Sequence, residues 1–411
     1  MSNCVSRWGK RPEKPCSLMT GRRSPNVMWP STSRFTGRKR SRGGQCMNTA
    51  AQPKIVGFAT QGHGGDDERR LKALLSGLSV QYYPFEKRKK HRNLWAIMRY
   101  LKSERPELVV MEGTGVFGGL ALILSSYLVK TRYVISSGDS VGPFVAQHVP
   151  ALGPLFHWYE KLLYRRSIGF IGWTPYLTGR ALTYGSKYGM TAAGWAPFTL
   201  EESARSAAKK RIRDRYGIAE EQLVIGIVGS LNWNTKVGYC YGYELVQAMQ
   251  RVLRKDVTIL IVGDGSGQGR LEQLAGDKNI IFTGRVKREE VPEYLAAMDA
   301  ASLPQSVDQV GSFRYTTKIS EYLAAGLPVI TGTIPMAYDL RGDWLIRIAG
   351  NSPWSEKYVG QLAEFIDGIS IEALREQAVR VPRQLPQFDK EQQISSVGAF
   401  IGDIVYDIRG G

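Results

Sequence analysis

Apolar strand segments alternate with helical segments along most of this chain, and this alternation limits its possible folds more than any other feature. In the first run, unbroken apolar segments lie at residues 54–59, 80–84, 107–112 and 132–136, separated by helical patterns at 68–78, 94–102 and 118–129. Unbroken apolar strands are typical of parallel sheets that helices cover on both faces. The pattern therefore predicts an α/β fold with a doubly wound parallel sheet.

The alternation stops and then begins again, which predicts a second domain. A charged helix at 204–216 leads into strands at 223–228, 257–262, 279–283, 300–303 and 328–330, with helices at 243–253, 269–274, 291–298 and 317–325. We divide the chain into an extension (1–52), two Rossmann-like domains (53–197 and 198–388) and a C-terminal segment (389–411). The amphipathic stretch 390–408 could pack across both domains. Two such domains face each other across a cleft, with ligands at the carboxyl ends of their strands.

Basic charge is concentrated at the N-terminal end. Residues 1–46 hold eleven Lys or Arg and one acid, Glu13, for a net charge of +10; the remaining 44 basic and 36 acidic residues give +8. The segment shows no helical or strand periodicity and lacks the apolar centre of a signal peptide. We interpret it as a disordered or mis-annotated extension ahead of Met47. A basic tail for nucleic acid or membrane is the alternative.

Cysteine usage and hydropathy indicate a cytoplasmic protein. The four cysteines are scattered without metal-ligand spacing: Cys4, Cys16, Cys46 and Cys240. Scattered cysteines are the usual pattern of a reducing compartment. The longest apolar run, residues 118–129, is shorter than a bilayer-spanning helix. We therefore expect a reduced chain without a transmembrane segment.

Residues 318–330, with the sequence KISEYLAAGLPVI, carry the clearest functional signal. Lys318 and Glu321 are three residues apart, so they share one face of the predicted helix near its start. A lysine beside a helix N-terminus suits a phosphate. A carboxylate one turn further can accept hydrogen bonds from two hydroxyls, such as those of a ribose. The pair indicates a binding site for a nucleoside diphosphate, although an ordinary Lys–Glu pair on a helix surface has the same spacing.

Three further turns follow strands of the second domain. The first runs from Gly229 to Lys236, where glycine admits a close ligand and the lysine can reach a phosphate. The second contains Gly265, in Val-Gly-Asp-Gly. The third contains Gly284 and Arg285, where main-chain groups could contact a base edge. Their order along the chain, ending at Lys318 and Glu321, indicates a nucleotide site.

On these motifs the chain resembles the GT-B glycosyltransferases, and specifically the retaining glycosyltransferase family 4 (group 1). The resemblance is strongest over residues 222–335. It implies that the second domain holds a nucleotide-sugar, with Lys236 and Lys318 at the diphosphate and Glu321 at the ribose. The glycine-rich loop with Gly64 and Gly65 resembles the family's loop that closes over this donor.

The chain departs from the family pattern at two places. Ser230 stands where the family usually has arginine, so the missing cation could come from Arg314. The family also has two glutamates eight residues apart, and Phe313 occupies the earlier position. Asp308 lies where that glutamate is expected if residues 312–316 are an insertion. The resemblance then implies a sugar-binding role for Asp308.

The resemblance also implies a mechanism. A glycosyl group leaves the nucleotide through an oxocarbenium-like state while negative charge grows on the β-phosphate, and lysines would stabilise that charge. No acidic D-x-D pair appears, so we predict no metal and no cofactor beyond the nucleotide-sugar co-substrate. The acceptor hydroxyl would attack on the face that the nucleotide leaves, with retention of configuration. Polysaccharide or glycoconjugate biosynthesis is the implied setting.

Two other functions remain open. Gly113, Gly115 and Gly118 form a G-x-G-x-x-G motif between a strand and a helix, with Asp139 at the end of the next strand. This context fits an NAD-dependent oxidoreductase, but close helix–sheet packing is the favoured explanation of the glycines and the oxidoreductase is the alternative. An epimerase or hydrolase acting on nucleotide-sugars would share the same phosphate grip.

The acceptor side is less clearly marked. His63 could accept a proton from the acceptor, and Asp139 could orient it. The acceptor is expected to be a glycan or a lipid-linked molecule. Five cations within residues 87–92 and an aromatic, basic helix at 155–166 suit an anionic membrane on its inner face. A nucleic-acid partner is disfavoured because no stacking platform accompanies the basic tail.

Overall fold

The computed structural model describes residues 52–314 and 317–410, and its strands and helices follow the predicted alternating order. The interpretation of residues 1–46, including Cys4, Cys16 and Cys46, lies outside the described residues. These described residues form one compact unit that contains two parallel sheets. The predicted class, an α/β fold with two Rossmann-like domains, is confirmed.

The first sheet holds six parallel strands in the order β2-β1-β3-β4-β5-β6. The strands are β1 (Ile55–Ala59), β2 (Val80–Tyr82), β3 (Leu108–Glu112), β4 (Tyr133–Ser137), β5 (Gly169–Gly172) and β6 (Tyr188–Thr191). The helices between them are α1 (Asp66–Leu74), α2 (Lys90–Glu104), α3 (Val116–Leu128), α4 (Val141–His148), α5 (Gly153–Arg166) and α6 (Pro175–Thr183). Every residue of β1, β3, β4 and β5 is buried, as both-face coverage requires.

The second sheet is also parallel, in the order β12-β11-β10-β7-β8-β9. After α7 (Glu202–Arg215), its strands are β7 (Leu223–Val228), β8 (Val257–Val262), β9 (Ile280–Phe282), β10 (Ala300–Leu303), β11 (Val329–Gly332) and β12 (Leu345–Ile348). Its helices are α8 (Tyr243–Met249), α9 (Gln268–Ala275), α10 (Val291–Ala296), α11 (Lys318–Ala324), α12 (Met336–Asp339), α13 (Glu356–Gly368) and α14 (Ile371–Val379).

Each sheet reverses its strand order at one point, and a Rossmann-like fold binds ligands beside such a point. In the first sheet the reversal lies between β1 and β3, and in the second it lies between β7 and β10. The loops after these four strands are therefore the expected binding loops. They include the glycine-rich loop of the first domain and the Gly229 turn of the second.

The last helix, α15 (Lys390–Gly410), packs on the first sheet. Its apolar positions Val397, Ile401, Ile404 and Val405 lie on one face and join the cluster around Ile55. Arg409 donates to Glu107 at 2.6 Å beside β3. Phe388, just before the helix, packs in the core of the second domain. The chain thus crosses from the second domain back to the first.

The structure also contains elements that the sequence patterns did not indicate: α4, α6, α12, α13, α14, β5, β6 and β12. The strand β5 begins and ends with glycine, so its apolar centre is only two residues long. Such a segment is too short to show a recognisable strand pattern. Along the described chain, no helix combines the length and apolar character needed to cross a bilayer.

Candidate functional site

The site lies at the carboxyl edge of the second sheet, at the reversal of strand order between β7 and β10. The three glycine turns that the sequence singled out meet here through main-chain hydrogen bonds. The Gly229 N–H donates to the Val262 carbonyl at 2.9 Å, and the Gly263 N–H donates to the Gly284 carbonyl at 3.0 Å. The turns after β7, β8 and β9 therefore form one connected floor.

Gly263 makes the contact between two of these turns sterically possible. Its φ is +137°, and a Cβ at this position would collide with the Gly229 carbonyl oxygen. A Cβ on Gly265 would likewise collide with the Leu231 main chain. Glycine is required at both positions because the backbones pass too close for a side chain.

We expect Gly263→Ala to lower the free energy of unfolding by about 2–5 kcal/mol, from left-handed strain plus the steric collision. Gly269→Ala in α9 is the matched control, because open space surrounds Gly269 and alanine favours a helix. Denaturant unfolding measures both. Equal unfolding free energies for the two variants would contradict the close packing of the turns.

Lys318 opens α11, and its side chain passes over Gly229. A Cβ on Gly229 would lie 3.0 Å from Lys318 Cε and 3.4 Å from Nζ, so glycine leaves the room that the lysine uses. The Lys318 ammonium also lies 4.6 Å from the centre of the Tyr241 ring. This cation–π contact helps to hold the charge at the carboxyl end of β7.

Glu321 follows one turn later and lines a cavity of about 600 Å³ between the two domains. Burial raises the pKa of its carboxyl group above the ordinary value, whereas Lys318 and Arg288 lower it. Arg288 lines the same cavity and approaches Asp66 of the first domain at 3.6 Å. The cavity therefore offers a partly desolvated hydrogen-bond acceptor with cations beside it.

The first domain contributes a wall that the sequence reasoning missed. Arg70 and Trp173 line the cavity, and the Arg70 guanidinium lies 4.4 Å from the centre of the Trp173 ring. The Trp173 indole N–H donates to Glu112 at 3.1 Å. Burial raises the pKa of Glu112, partly offset by Arg70. Glu112 ends β3 at the reversal of the first sheet, and that position is the signal that could have identified it.

The predicted glycine-rich loop lies after β1, next to this wall. The Gly64 N–H donates to Glu68 at 2.7 Å, and His63 Nδ1 lies 2.9 Å from the other oxygen of the same carboxylate. Burial alone would raise the pKa of Glu68, but hydrogen bonds from Gly64, His63 and Lys72 hold it below its ordinary value. Gly65 directly precedes α1. The loop is thus fixed by one buried carboxylate.

Two predicted site residues, Asp139 and Arg314, pair with each other. Arg314 donates to Asp139 at 2.6 Å, joining the second domain to the first. Ser140 Oγ donates to the Gln309 carbonyl at 3.0 Å nearby. Pairing with Asp139 neutralises much of the Arg314 charge in this conformation, so a phosphate would compete with a carboxylate for it.

Asp308 stabilises its own loop. Its Oδ1 accepts hydrogen bonds from the Val310 and Gly311 N–H groups, both at 2.7 Å. Its Oδ2 accepts one from Gln147 of the first domain at 3.2 Å. Both carboxylate oxygens are therefore engaged here, and the sugar-binding role stays a prediction.

Lys236 and Arg285 are both exposed at the rim of the site. Lys236 lies in the turn after β7, where its N–H donates to Asn234 Oδ1 at 3.0 Å. Arg285 follows Gly284, whose φ is +68°. Neither side chain forms an ion pair with another of the described residues. The structure places both on the predicted loops, and neither lines the interdomain cavity.

The G-x-G-x-x-G motif of the first domain has a packing explanation. A Cβ on Gly113, Gly115 or Gly118 would collide with the side chain of Thr60. Thr60 follows β1 and its hydroxyl donates to the Glu112 carbonyl at 3.2 Å. Close approach of α3 to the sheet thus accounts for all three glycines.

Metal-ligating side chains are dispersed in this structure. Across residues 52–314 and 317–410, no group of three or more His, Cys, Asp or Glu side chains is placed to hold a metal ion. Cys240 is buried, and burial raises the pKa of its thiol to about 12.

Comparison with known proteins finds sequence similarity in the second domain. Residues 222–369 match the family Glycosyl transferases group 1. A 2-deoxystreptamine glucosyltransferase of Streptomyces kanamyceticus is 28% identical over 131 residues, which are 31% of this chain and 32% of that protein. A Bacillus subtilis (strain 168) protein named as a teichuronic acid biosynthesis glycosyltransferase, TuaH, is 26% identical over 165 residues, 38% of this chain and 40% of that one. The chain spans well under half the length of these relatives.

Solved structures share the fold over most of the chain. Anabaena Alr3699/HepE in complex with UDP-glucose superposes with a TM-score of 0.62 at 14% identity, covering 85% of this chain and 99% of that one. A sucrose-phosphate synthase from Thermosynechococcus elongatus gives a TM-score of 0.60 at 12% identity, covering 86% and 100%. At these identities the likeness shows the fold alone. The described chain has the GT-B fold.

Proposed function

We propose, on the premise that residues 222–369 are a group 1 glycosyltransferase domain within a GT-B fold, that this protein transfers a sugar from a nucleotide-diphosphate sugar to an acceptor hydroxyl. One observation carries the proposal. Lys318 and Glu321 lie one helical turn apart at the strand reversal of the second sheet, the lysine over Gly229 and the glutamate in the interdomain cavity. A cation and a carboxylate so placed fit a diphosphate and a ribose.

Donor binding would use the two sides of this site differently. Glu321 accepts hydrogen bonds from the two ribose hydroxyls, and its partial burial makes those bonds strong. Lys318 contacts the diphosphate, and Lys236 approaches it from the rim. Gly265, with Gly284 and Arg285, forms the floor on which the base rests. The Anabaena neighbour is described with UDP and with UDP-glucose, which supports a uridine nucleotide as the first probe.

The chemical step follows from the position of the positive charge. When the glycosidic bond to the phosphate breaks, negative charge grows on the β-phosphate, and Lys318 stabilises it more in the transition state than in the ground state. Protein cations take the role that a divalent metal has elsewhere. The acceptor oxygen forms the new glycosidic bond on the face that the phosphate leaves, the hydroxyl proton passes to the departing phosphate, and configuration is retained.

The acceptor lies on the first-domain side of the cavity. Gly64 and Gly65 close over the donor, and Asp139 orients the acceptor hydroxyl once Arg314 turns from it to the phosphate. Asp308 contacts the sugar after its bond to Gln147 opens. These roles require the two domains to separate and close again during each turnover.

The setting is glycan assembly at a membrane. The acceptor is a glycan or a lipid-linked molecule, the product a polysaccharide or glycoconjugate, and the protein acts in the cytoplasm at the inner face of the membrane. The basic residues 87–92 precede and open α2, and the aromatic residues 155–166 lie in α5, both in the acceptor domain. An NAD-dependent function is disfavoured because Thr60 explains the glycines of its motif.

We expect one of UDP, GDP or ADP to bind the full chain with micromolar affinity in calorimetry, and Glu321→Ala to weaken that binding at least tenfold. A tenfold loss corresponds to about 1.4 kcal/mol, the size of one or two charge-assisted hydrogen bonds. Glu376→Ala on α14 is the control, because that side chain is exposed away from the site.

Binding of NAD to the full chain and to Glu321→Ala is measured in the same calorimetric experiment. Binding of NAD alone, unchanged in Glu321→Ala, would move the site to Gly113–Gly118 and overturn the proposal. Glycan product rather than free sugar, in a reaction with the donor that binds, separates a transferase from a hydrolase or epimerase.

A further inference from the structure

Three neighbouring helices of the first domain expose large apolar side chains on their outer faces. In the described structure α3 packs against both α2 and α5. Trp95 on α2 is 65% exposed, Leu128 on α3 is 70% exposed, and Trp158 on α5 is 60% exposed. Leu124, Tyr127 and Leu155 on the same helices are also exposed. We call this outer surface of α2, α3 and α5 the three-helix face.

The three-helix face is basic as well as apolar. Arg92, Arg99 and Lys102 are exposed on α2, and Lys161 and Arg165 on α5. The two carboxylates on these helices are both neutralised by pairing: Glu104 lies 2.6 Å from Lys54, and Glu160 is buried 2.7 Å from Arg180. The face therefore carries positive charge that none of its own acids balances.

Two cavities flank the last turn of α3. An apolar groove of about 610 Å³ runs between α2 and α3 and is lined by Trp95, Met98, Leu128 and Val129, with Arg99 and Lys102 at its edge. A basic pocket of about 320 Å³ lies beyond Ser126 and is lined by Lys130, Arg132, Arg165, Arg166 and Lys187. The Arg166 guanidinium lies 4.2 Å from the centre of the Tyr127 ring, which joins the pocket to the apolar surface.

We infer that the three-helix face docks on a bilayer that contains anionic lipid. The apolar groove contacts the lipid hydrocarbon, and the basic pocket binds a phosphate headgroup. The two tryptophans lie at the boundary between the hydrocarbon and the headgroups. A nucleic acid would use the cations but would leave Leu124, Leu128 and Leu155 in water. The combination of leucine, tryptophan and unbalanced arginine suits an anionic lipid surface.

The docking of the three-helix face on a bilayer does not depend on the proposed function. Its consequence, the class of acceptor, rests on that proposed function. From the N-terminal end of α5, exposed Leu152, Val149 and Phe144 continue the apolar surface along the chain toward the cleft. Phe144 lies beside Arg314, whose guanidinium is 6.0 Å from the ring centre and is paired with Asp139. An acceptor with its lipid in the docked bilayer would follow this path, so we assign the acceptor to the lipid-linked class.

Vesicle sedimentation of the full chain tests the docking surface. We expect binding to vesicles containing phosphatidylglycerol and little binding to pure phosphatidylcholine. Replacing both tryptophans, Trp95→Ser with Trp158→Ser, should weaken binding on the order of tenfold or more. Arg99→Ala with Arg165→Ala should weaken it about 25-fold, at about fivefold for each cation.

Tyr406→Ser with Leu253→Ser is the matched control, because both side chains are highly exposed and lie off the three-helix face. Sedimentation of the tryptophan variant equal to that of the parent would overturn the inference and would assign any binding to another part of the chain. Equal binding to both lipids, or none to either, would overturn it as well. Thermal unfolding checks that each variant folds, and UDP calorimetry is read separately, so failure of the donor site and failure of the docking surface are distinguishable.

Discussion

Lys318→Ala should lower the turnover number by about 10²–10³, because removing a group that stabilises developing negative charge costs about 2.7–4 kcal/mol of transition-state stabilisation. The reason is its position: the ammonium lies over Gly229 at the carboxyl end of β7 and against the Tyr241 ring. Donor affinity should fall much less than turnover, because the negative charge that Lys318 stabilises develops on the β-phosphate mainly as the glycosidic bond breaks. Steady-state kinetics with the nucleotide-sugar identified by calorimetry measures both quantities.

Lys318→Arg and Lys278→Ala complete that experiment. Arginine keeps the charge but not the shape that fits beside Gly229, so we expect partial recovery. Lys278 lies on the same domain, away from the cavity lining, and its loss should leave turnover unchanged. Loss of affinity with unchanged turnover in Lys318→Ala would place the lysine in ground-state binding. Full activity would remove Lys318 from the site.

Arg213→Ala should lower the free energy of unfolding by about 3–5 kcal/mol, the range measured when one partner of a buried ion pair is removed. The Arg213 side chain is 5% exposed and donates to Asp299 at 2.6 Å. It also donates to the main-chain carbonyls of Ala297 at 3.1 Å and Gln222 at 2.9 Å. Its removal leaves a buried carboxylate and several carbonyls with fewer donors, in the segment that leads into β7.

Arg251→Ala is the comparison for that stability measurement. Arg251 contacts Glu356 through two hydrogen bonds, at 2.6 and 2.8 Å, but the pair is exposed. Exposed pairs contribute about 0–1 kcal/mol, because water and salt screen them. Denaturant unfolding of both variants should therefore differ by several kcal/mol. A similar small effect for both would show that Lys209, 2.8 Å from Asp299, is sufficient to neutralise that carboxylate.

The sequence predicted the parts of the fold that depend on local pattern. Residues 223–228 and 257–262 are strands with the predicted bounds, because each is an unbroken apolar segment at the centre of a sheet. The glycine turns were recognisable for a similar reason, since positive φ and close backbone contact require glycine. Lys318 and Glu321 lie on the predicted helix, where helix geometry fixes their spacing, and their roles at a donor stay predictions.

The parts that were missed depend on contacts between distant segments. Arg70, Glu112 and Trp173 come from α1, β3 and the turn after β5, and no local pattern in the sequence relates them. The pairing of Asp139 with Arg314 is a contact between residues 175 positions apart. Each of these side chains was available for several roles, and only the packing of the two domains determined its partner.

The return of α15 to the first sheet also affects the order in which the protein can be completed during synthesis. Val397 and Ile401 fill the face beside Ile55 and Leu71, so the first sheet is covered on this face by a helix that follows the second domain in the chain. Until the ribosome has released α15, the first sheet exposes an apolar face. The second domain contains its own helices on both sides and can close earlier. The first domain is therefore completed only after the second domain has been translated, and a stop codon ahead of α15 would destabilise the domain that had been translated first.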